Sequence, residues 1–131
     1  MRALYKLFAV LFISTTFFVS ASQAQSFDNI ESAIGSGDVS TLSQYFSGNV
    51  EIHIRDAQNS YSKSQAEAVL KNFFISHSPR SFSVQHRGES PGGAKYFMGN
   101  LSTTAGSYRT YVYAKQVNGV FAIQEIRFEE Q

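Results

Sequence analysis

The sequence predicts an α+β fold in which N-terminal helices pack on a curved antiparallel β-sheet. Three observations carry that reading. The last third, Ala94 to Gln131, reads as three consecutive strands rich in aromatic and β-branched residues. Its last two strands are joined by Asn118-Gly119, a dipeptide that supplies the two positive-φ positions of a type I′ turn and so a tight hairpin. Upstream, Ala66, Val69, Leu70, Phe73 and Phe74 form one apolar stripe at helical spacing. Helices followed by a long meander place the helical layer against one face of the sheet.

The N-terminus reads as an export signal. Arg2 and Lys6 precede an apolar run from Leu7 to Val19, broken only by Ser14, Thr15 and Thr16, and Ser22 and Ala24 stand at the minus-three and minus-one positions. The run falls short of the roughly 20 apolar residues a transmembrane helix needs. Residues 1–24 are therefore expected to be a cleaved Sec signal peptide and residues 25–131 one domain, periplasmic or extracellular. Removing 24 of the 131 residues leaves 107, enough for a single hydrophobic core. Loss of Arg2 and Lys6 reduces the eleven basic residues to nine against ten acidic ones, a formal charge of −1. The charges are scattered, which argues against nucleic acid and against anionic lipid surfaces. The chain has no cysteine, so disulfides, thiolate metal sites and lipoprotein acylation are excluded.

From the N-terminus, Phe27, Ile30, Ala33 and Ile34 predict a short helix over Ser26–Ile34, capped by Ser26 and ended by Gly35 and Gly37. Asp38 caps a second helix through Thr41, Leu42, Tyr45 and Phe46 that stops near Ser47-Gly48-Asn49. Val50, Ile52 and Ile54 alternate with Glu51, His53 and Arg55, the pattern of a half-buried strand. After a turn at Asp56 to Asn59, Ser60 to Ser62 predict a very short returning strand. Ser62 or Ser64 caps the long amphipathic helix, which Ser78-Pro79 ends. Ser81 to Gly88 follows as a strand with Phe82, Val84 and His86 on its core side, and Ser90-Pro91-Gly92-Gly93 forms a turn. Three strands complete the chain, Ala94 to Thr103, Tyr108 to Gln116 and Val120 to Phe128. Each has apolar groups on both parities, which points to a partner or ligand on the face away from the core.

The run Ser60-Tyr61-Ser62-Lys63-Ser64-Gln65-Ala66-Glu67, the Lys71-Asn72-Phe73-Phe74 helix end, the Gly92-Gly93-Ala94-Lys95-Tyr96 turn and the Ile123-Gln124-Glu125-Ile126-Arg127-Phe128 terminus resemble an exported bacterial family, domain of unknown function 4783. The order of elements is similar to the cone of the nuclear transport factor 2-like, or SnoaL-like, superfold. The resemblance implies that fold and an envelope location, and no mechanism.

Among single residues His86 stands out. The superfold's enzymes, which include a ketosteroid isomerase and scytalone dehydratase, project His, Asp and Tyr side chains into the cone, and a His86 on the core face would serve as base. Against it stands a satisfied core histidine, and neither Asp28, Asp38 nor Asp56 falls in a predicted core strand to complete an acid–base pair. His53 and Asp56 lie close in sequence, yet His53 shares parity with Glu51 and Arg55, on the polar face. His53, His77 and His86 fall on three different elements without a carboxylate at a recurrent ligand spacing, so neither a metal site nor a cofactor is predicted. Gly35-Ser36-Gly37 and Gly92-Gly93 lack the context of a nucleophile elbow or a phosphate loop.

Tyr96, Tyr108, Tyr111 and Tyr113, with Arg109, Gln124 and Arg127, offer a mixed apolar and hydrogen-bonding surface. Ligand-binding residues are expected among Tyr96, Tyr111, Tyr113, Arg109, Gln124 and Arg127. The same residues suit cross-strand pairs or a subunit interface. The leading expectation is an exported non-catalytic module that binds a small apolar or mixed ligand or forms a homodimer through the sheet face. Two alternatives stand beside it, a cone-pocket lyase or isomerase with His86 as base and an interaction subunit of an envelope assembly.

Overall fold

The computed structural model describes the backbone of residues 19–131 and the side chains of residues 27–131. The predicted signal peptide, residues 1–24, lies outside the residues described with their side chains. Helix α1 (Val19–Ser36) runs through Ser26, which therefore does not cap it. Phe27, Ile30, Ala33 and Ile34 form its buried stripe. Gly37, at φ 68°, ends the helix, because its N–H reaches Ile34 O at 3.3 Å and the Asp38 N–H reaches Ala33 O at 2.9 Å. That pair of bonds satisfies carbonyls the last turn would otherwise leave unpaired.

Asp38 caps α2 (Val39–Gln44) as expected, accepting from the Thr41 N–H at 3.1 Å and the Thr41 hydroxyl at 2.6 Å. The helix is shorter than its apolar spacing implied. Phe46 already belongs to β1 (Phe46–Ile54), where Phe46, Val50 and Ile52 face the core. Arg55, at φ 57°, turns the chain into β2 (Ala57–Ser62). Ser62 then caps α3 (Lys63–Ser76) in a reciprocal box, with Ser62 Oγ accepting from the Gln65 N–H at 3.4 Å and Gln65 Oε1 accepting from the Ser62 N–H at 3.1 Å. Ala66, Leu70, Phe73 and Phe74 are buried on its inner side.

The chain continues through β3 (Pro79–Ser90), β4 (Ala94–Thr103), β5 (Gly106–Val117) and β6 (Val120–Glu130). Asn118 and Gly119 take φ 53° and 78°, the two positive values the tight β5–β6 turn requires. The six strands form one sheet in the order β2-β1-β6-β5-β4-β3. All neighbours are antiparallel except β1 and β6, which run parallel with Ile52 opposite Ile126 and Ile54 opposite Phe128. The sheet is thus mixed where the sequence predicted it antiparallel.

All three helices lie on one side, α1 against β3 and β6 and α3 against β1 and β2. Between them and the sheet the cone is filled. Phe97, Tyr108, Phe121 and Phe128 are almost wholly buried, Phe73 stacks on Phe128 at 4.4 Å, and Phe27 meets the rings of Phe97 and Phe121 at 5.4 and 5.5 Å.

Two β-bulges decide which side chains join that core. In β3, Val84 pairs with Gly99 but His86 pairs with Met98, so Gln85 is an extra residue and the inside–outside alternation reverses. In β6, Ile123 pairs with Ala114 and Glu125 with Tyr113, leaving Gln124 extra. Phe121, Ile123, Ile126 and Phe128 consequently all face inward, although they fall on both parities. Much of the two-sided apolar character read from β6 is therefore a single core face carried across a bulge. No helix of the described residues is long and apolar enough to cross a membrane.

Candidate functional site

The face of the sheet turned away from the helices collects the chemistry. On β4 it presents Tyr96, Met98 and Asn100, and on β5 Arg109, Tyr111 and Tyr113, each one residue out of step with the buried set. The bulge in β6 turns Gln124 and Glu125 outward between Ile123 and Ile126, and Arg127 follows. The parallel register brings Glu51 opposite Glu125 and His53 opposite Arg127. One transverse row reads His86, Met98, Tyr111, Arg127, His53, and the next reads Tyr96, Tyr113, Glu125, Glu51.

These residues touch in a chain across the sheet. His86 Nε2 lies 3.3 Å from the Tyr96 hydroxyl, and the Tyr96 and Tyr111 rings are 5.8 Å apart. The Arg127 guanidinium sits 5.6 Å from the centre of the Tyr111 ring and donates through Nε to Glu125 Oε1. His53 Nε2 lies 3.2 Å from the same Glu125 oxygen and 3.8 Å from Glu51 Oε2. That nitrogen is enclosed and lacks the alignment of a hydrogen bond to any side chain around it. The hydrogen bond to Glu125 holds the Arg127 guanidinium above its usual range. Burial, aided by the negative Glu125, pushes the Tyr111 phenol up, so it stays a protonated donor at neutral pH.

The six residues expected to bind, Tyr96, Tyr111, Tyr113, Arg109, Gln124 and Arg127, thus share one face. Five of them are half-buried there, and Arg109 stands exposed opposite Asn100 and Glu129. Tyr108 does not join them. It is turned into the cone, where its hydroxyl accepts from Arg55 Nη2 at 3.3 Å.

His86 departs furthest from expectation. Predicted on the core face, it is exposed on the opposite one, because Gln85 shifts the alternation. A base acting inside the cone would have to stand on the other side of the strand. His53 does not meet Asp56, which is exposed in the β1–β2 turn. Its neighbours are Glu51 and Glu125, the residues among those described whose donor atoms, with His53, lie close enough to hold a metal ion. The sequence concealed this cluster, since it depends on β1 lying beside β6. His77 caps α3 and stacks on Phe73 at 4.4 Å.

A half-open cavity of about 320 Å³ lies at the rim of the cone, bordered by Phe27, Asp28, Arg87, Glu89, Lys95 and Tyr96. Its cations are already engaged. Arg87 donates to both Glu31 oxygens at 2.7 Å, and Lys95 Nζ lies 3.6 Å from Glu89 and 5.5 Å from the centre of the Phe121 ring.

Residues 27–129 match the model of the family described as domain of unknown function 4783. The chain belongs to this family. Solved structures agree, with a DUF4783 family protein from Bacteroides uniformis superposing at TM-score 0.76 and 25% identity, over 79% of this chain and 95% of that one. A DUF4783 family protein from Bacteroides ovatus gives TM-score 0.75 and 25% identity, over 79% and 93% of the two chains. An NTF2-like protein of unknown function from Burkholderia xenovorans, at TM-score 0.62 and 11% identity over 82% and 83%, shows the fold alone. The DUF4783 fold is thus NTF2-like. No curated protein matches the chain.

Proposed function

We propose that this DUF4783 protein is an exported, non-catalytic binding module that self-associates through its outer sheet face. The observation that carries the reading is the pair of adjacent rows holding Tyr96, Met98, Tyr111 and Tyr113, half-buried on a sheet face whose opposite side receives all three helices. Aromatic side chains, methionine and arginine are what interfaces enrich. The face holds both signs of charge, Arg109 and Arg127 beside Glu51, Glu125 and Glu129, so a two-fold partner presents the complement of what it meets. Five strands about 4.8 Å apart and about eight residues of length give roughly 500 Å² of projected surface. With side-chain relief and flanking loops, that approaches the roughly 800 Å² per partner of a stable interface.

Sedimentation equilibrium tests this. The expected result is a dimer at micromolar concentration that Tyr111→Asp and Met98→Lys each convert to monomer, with unchanged far-ultraviolet circular dichroism. A wild-type monomer at about 100 μM would overturn the reading. The rim cavity favours a second reading, a small mixed ligand seated on Phe27 and Tyr96, which would be detected as a compound that co-purifies and is lost on Tyr96→Ala. The lyase alternative has less support, because Phe73, Phe97, Tyr108, Phe121 and Phe128 fill the cone a substrate would enter.

A further inference from the structure

We propose that Glu51, His53 and Glu125 form a binding site for a divalent first-row transition ion of the Zn²⁺ class. The three donors stand on two neighbouring strands whose parallel register fixes their spacing, Glu51 opposite Glu125 and His53 two residues further along the same face. Their ligand atoms all lie within 4.8 Å of one another. Around an ion with bonds of about 2.1 Å, tetrahedral ligand atoms stand about 3.4 Å apart. The observed 3.2 Å from His53 Nε2 to Glu125 and 3.8 Å to Glu51 bracket that value.

A second observation points to a ligand independently of the acidic pair. His53 Nε2 is enclosed, faces the two carboxylates and has no aligned hydrogen bond. A buried polar atom without an aligned hydrogen bond is costly, and a metal ion between it and the carboxylates is a partner that a neutral imidazole nitrogen suits. One imidazole nitrogen with two carboxylate oxygens favours Zn²⁺ and its neighbours over Ca²⁺ and Mg²⁺, which prefer oxygen ligands alone. The Glu51 side chain is 52% exposed, so in the monomer an ion reaches the site from solvent and water completes its coordination. Among the described residues, Arg127 is the cation bonded to the cluster, and it shares Glu125 with the ion. It lowers affinity without blocking the other two donors. All three ligands come from one chain, so the site is complete in a monomer.

The test is calorimetric titration of Zn²⁺ into the untagged, metal-free protein, with Co²⁺ absorption as a second readout. One ion per chain is expected, with affinity falling more than about tenfold in His53→Gln and in Glu51→Gln. His86→Gln, on the same face but outside the cluster, should bind as wild type does, and circular dichroism confirms that each variant is folded. Absence of saturable binding, wild-type affinity in both His53→Gln and Glu51→Gln, or an equal loss in His86→Gln would overturn the proposal.

Discussion

Asp38 shows how much one side chain settles when its partners are local. Its carboxylate accepts from the hydroxyl and the backbone N–H of Thr41, and those two bonds, the hydroxyl's first, hold it below its ordinary value of 3.8. A carboxyl depressed in the folded state stabilises the protein above its unfolded value, and that contribution disappears as pH falls through the folded value. Asp38→Ala should therefore lower the urea midpoint by a constant amount between about pH 7 and 5. The gap to wild type should narrow below pH 3.8. A gap unchanged at about pH 2.5 would show that the charged cap contributes nothing. Asp38 was recognisable in the sequence, and the α3 cap was narrowed to Ser62 or Ser64, because a cap and the N–H it accepts from lie three residues apart. His86 was not, because its side depends on Gln85, a residue that looks like any other strand position until its partner strand is known.

At the scale of elements, alternation is a sound guide only between bulges. The sequence of β6 places Phe121 and Ile123 on one parity and Ile126 and Phe128 on the other, yet all four are buried because Gln124 absorbs one step. Deleting Gln124 should therefore leave the pattern intact, since Ile123 followed directly by Glu125 alternates regularly and keeps Ile126 and Phe128 inward with Glu125 and Arg127 outward. The deletion variant should keep a cooperative urea transition. Loss of that transition would show that the bulge does more than reset the alternation. The same logic explains Phe46, whose spacing fits a helix from Thr41 onward but which begins β1 because that strand, lying between β2 and β6, draws the backbone into its ladder.

At the scale of the molecule, Phe128 ties the layers together. It is fully buried, stacks on Phe73 at 4.4 Å, meets Phe74 at 5.9 Å and lies opposite Ile54 in the parallel pair, so α3, β1 and β6 share it. Phe128→Ala should cost about 3–5 kcal/mol, a large part of the total stability of a domain this size. Tyrosine fluorescence and circular dichroism should report the same lowered urea midpoint, and diverging midpoints would show that the layers unfold separately. The sequence alone determined the Asp38 cap, the Asn118-Gly119 hairpin, the stripe of α3 and the aromatic meander, each written in residues a few positions apart whose backbone preferences are intrinsic. Tertiary structure decided the rest. Glu51 and His53 meet Glu125 across the parallel pair, and His86 lies outside the cone, because strand neighbours and bulges are chosen by how the whole sheet buries its apolar side chains and not by any short stretch of chain.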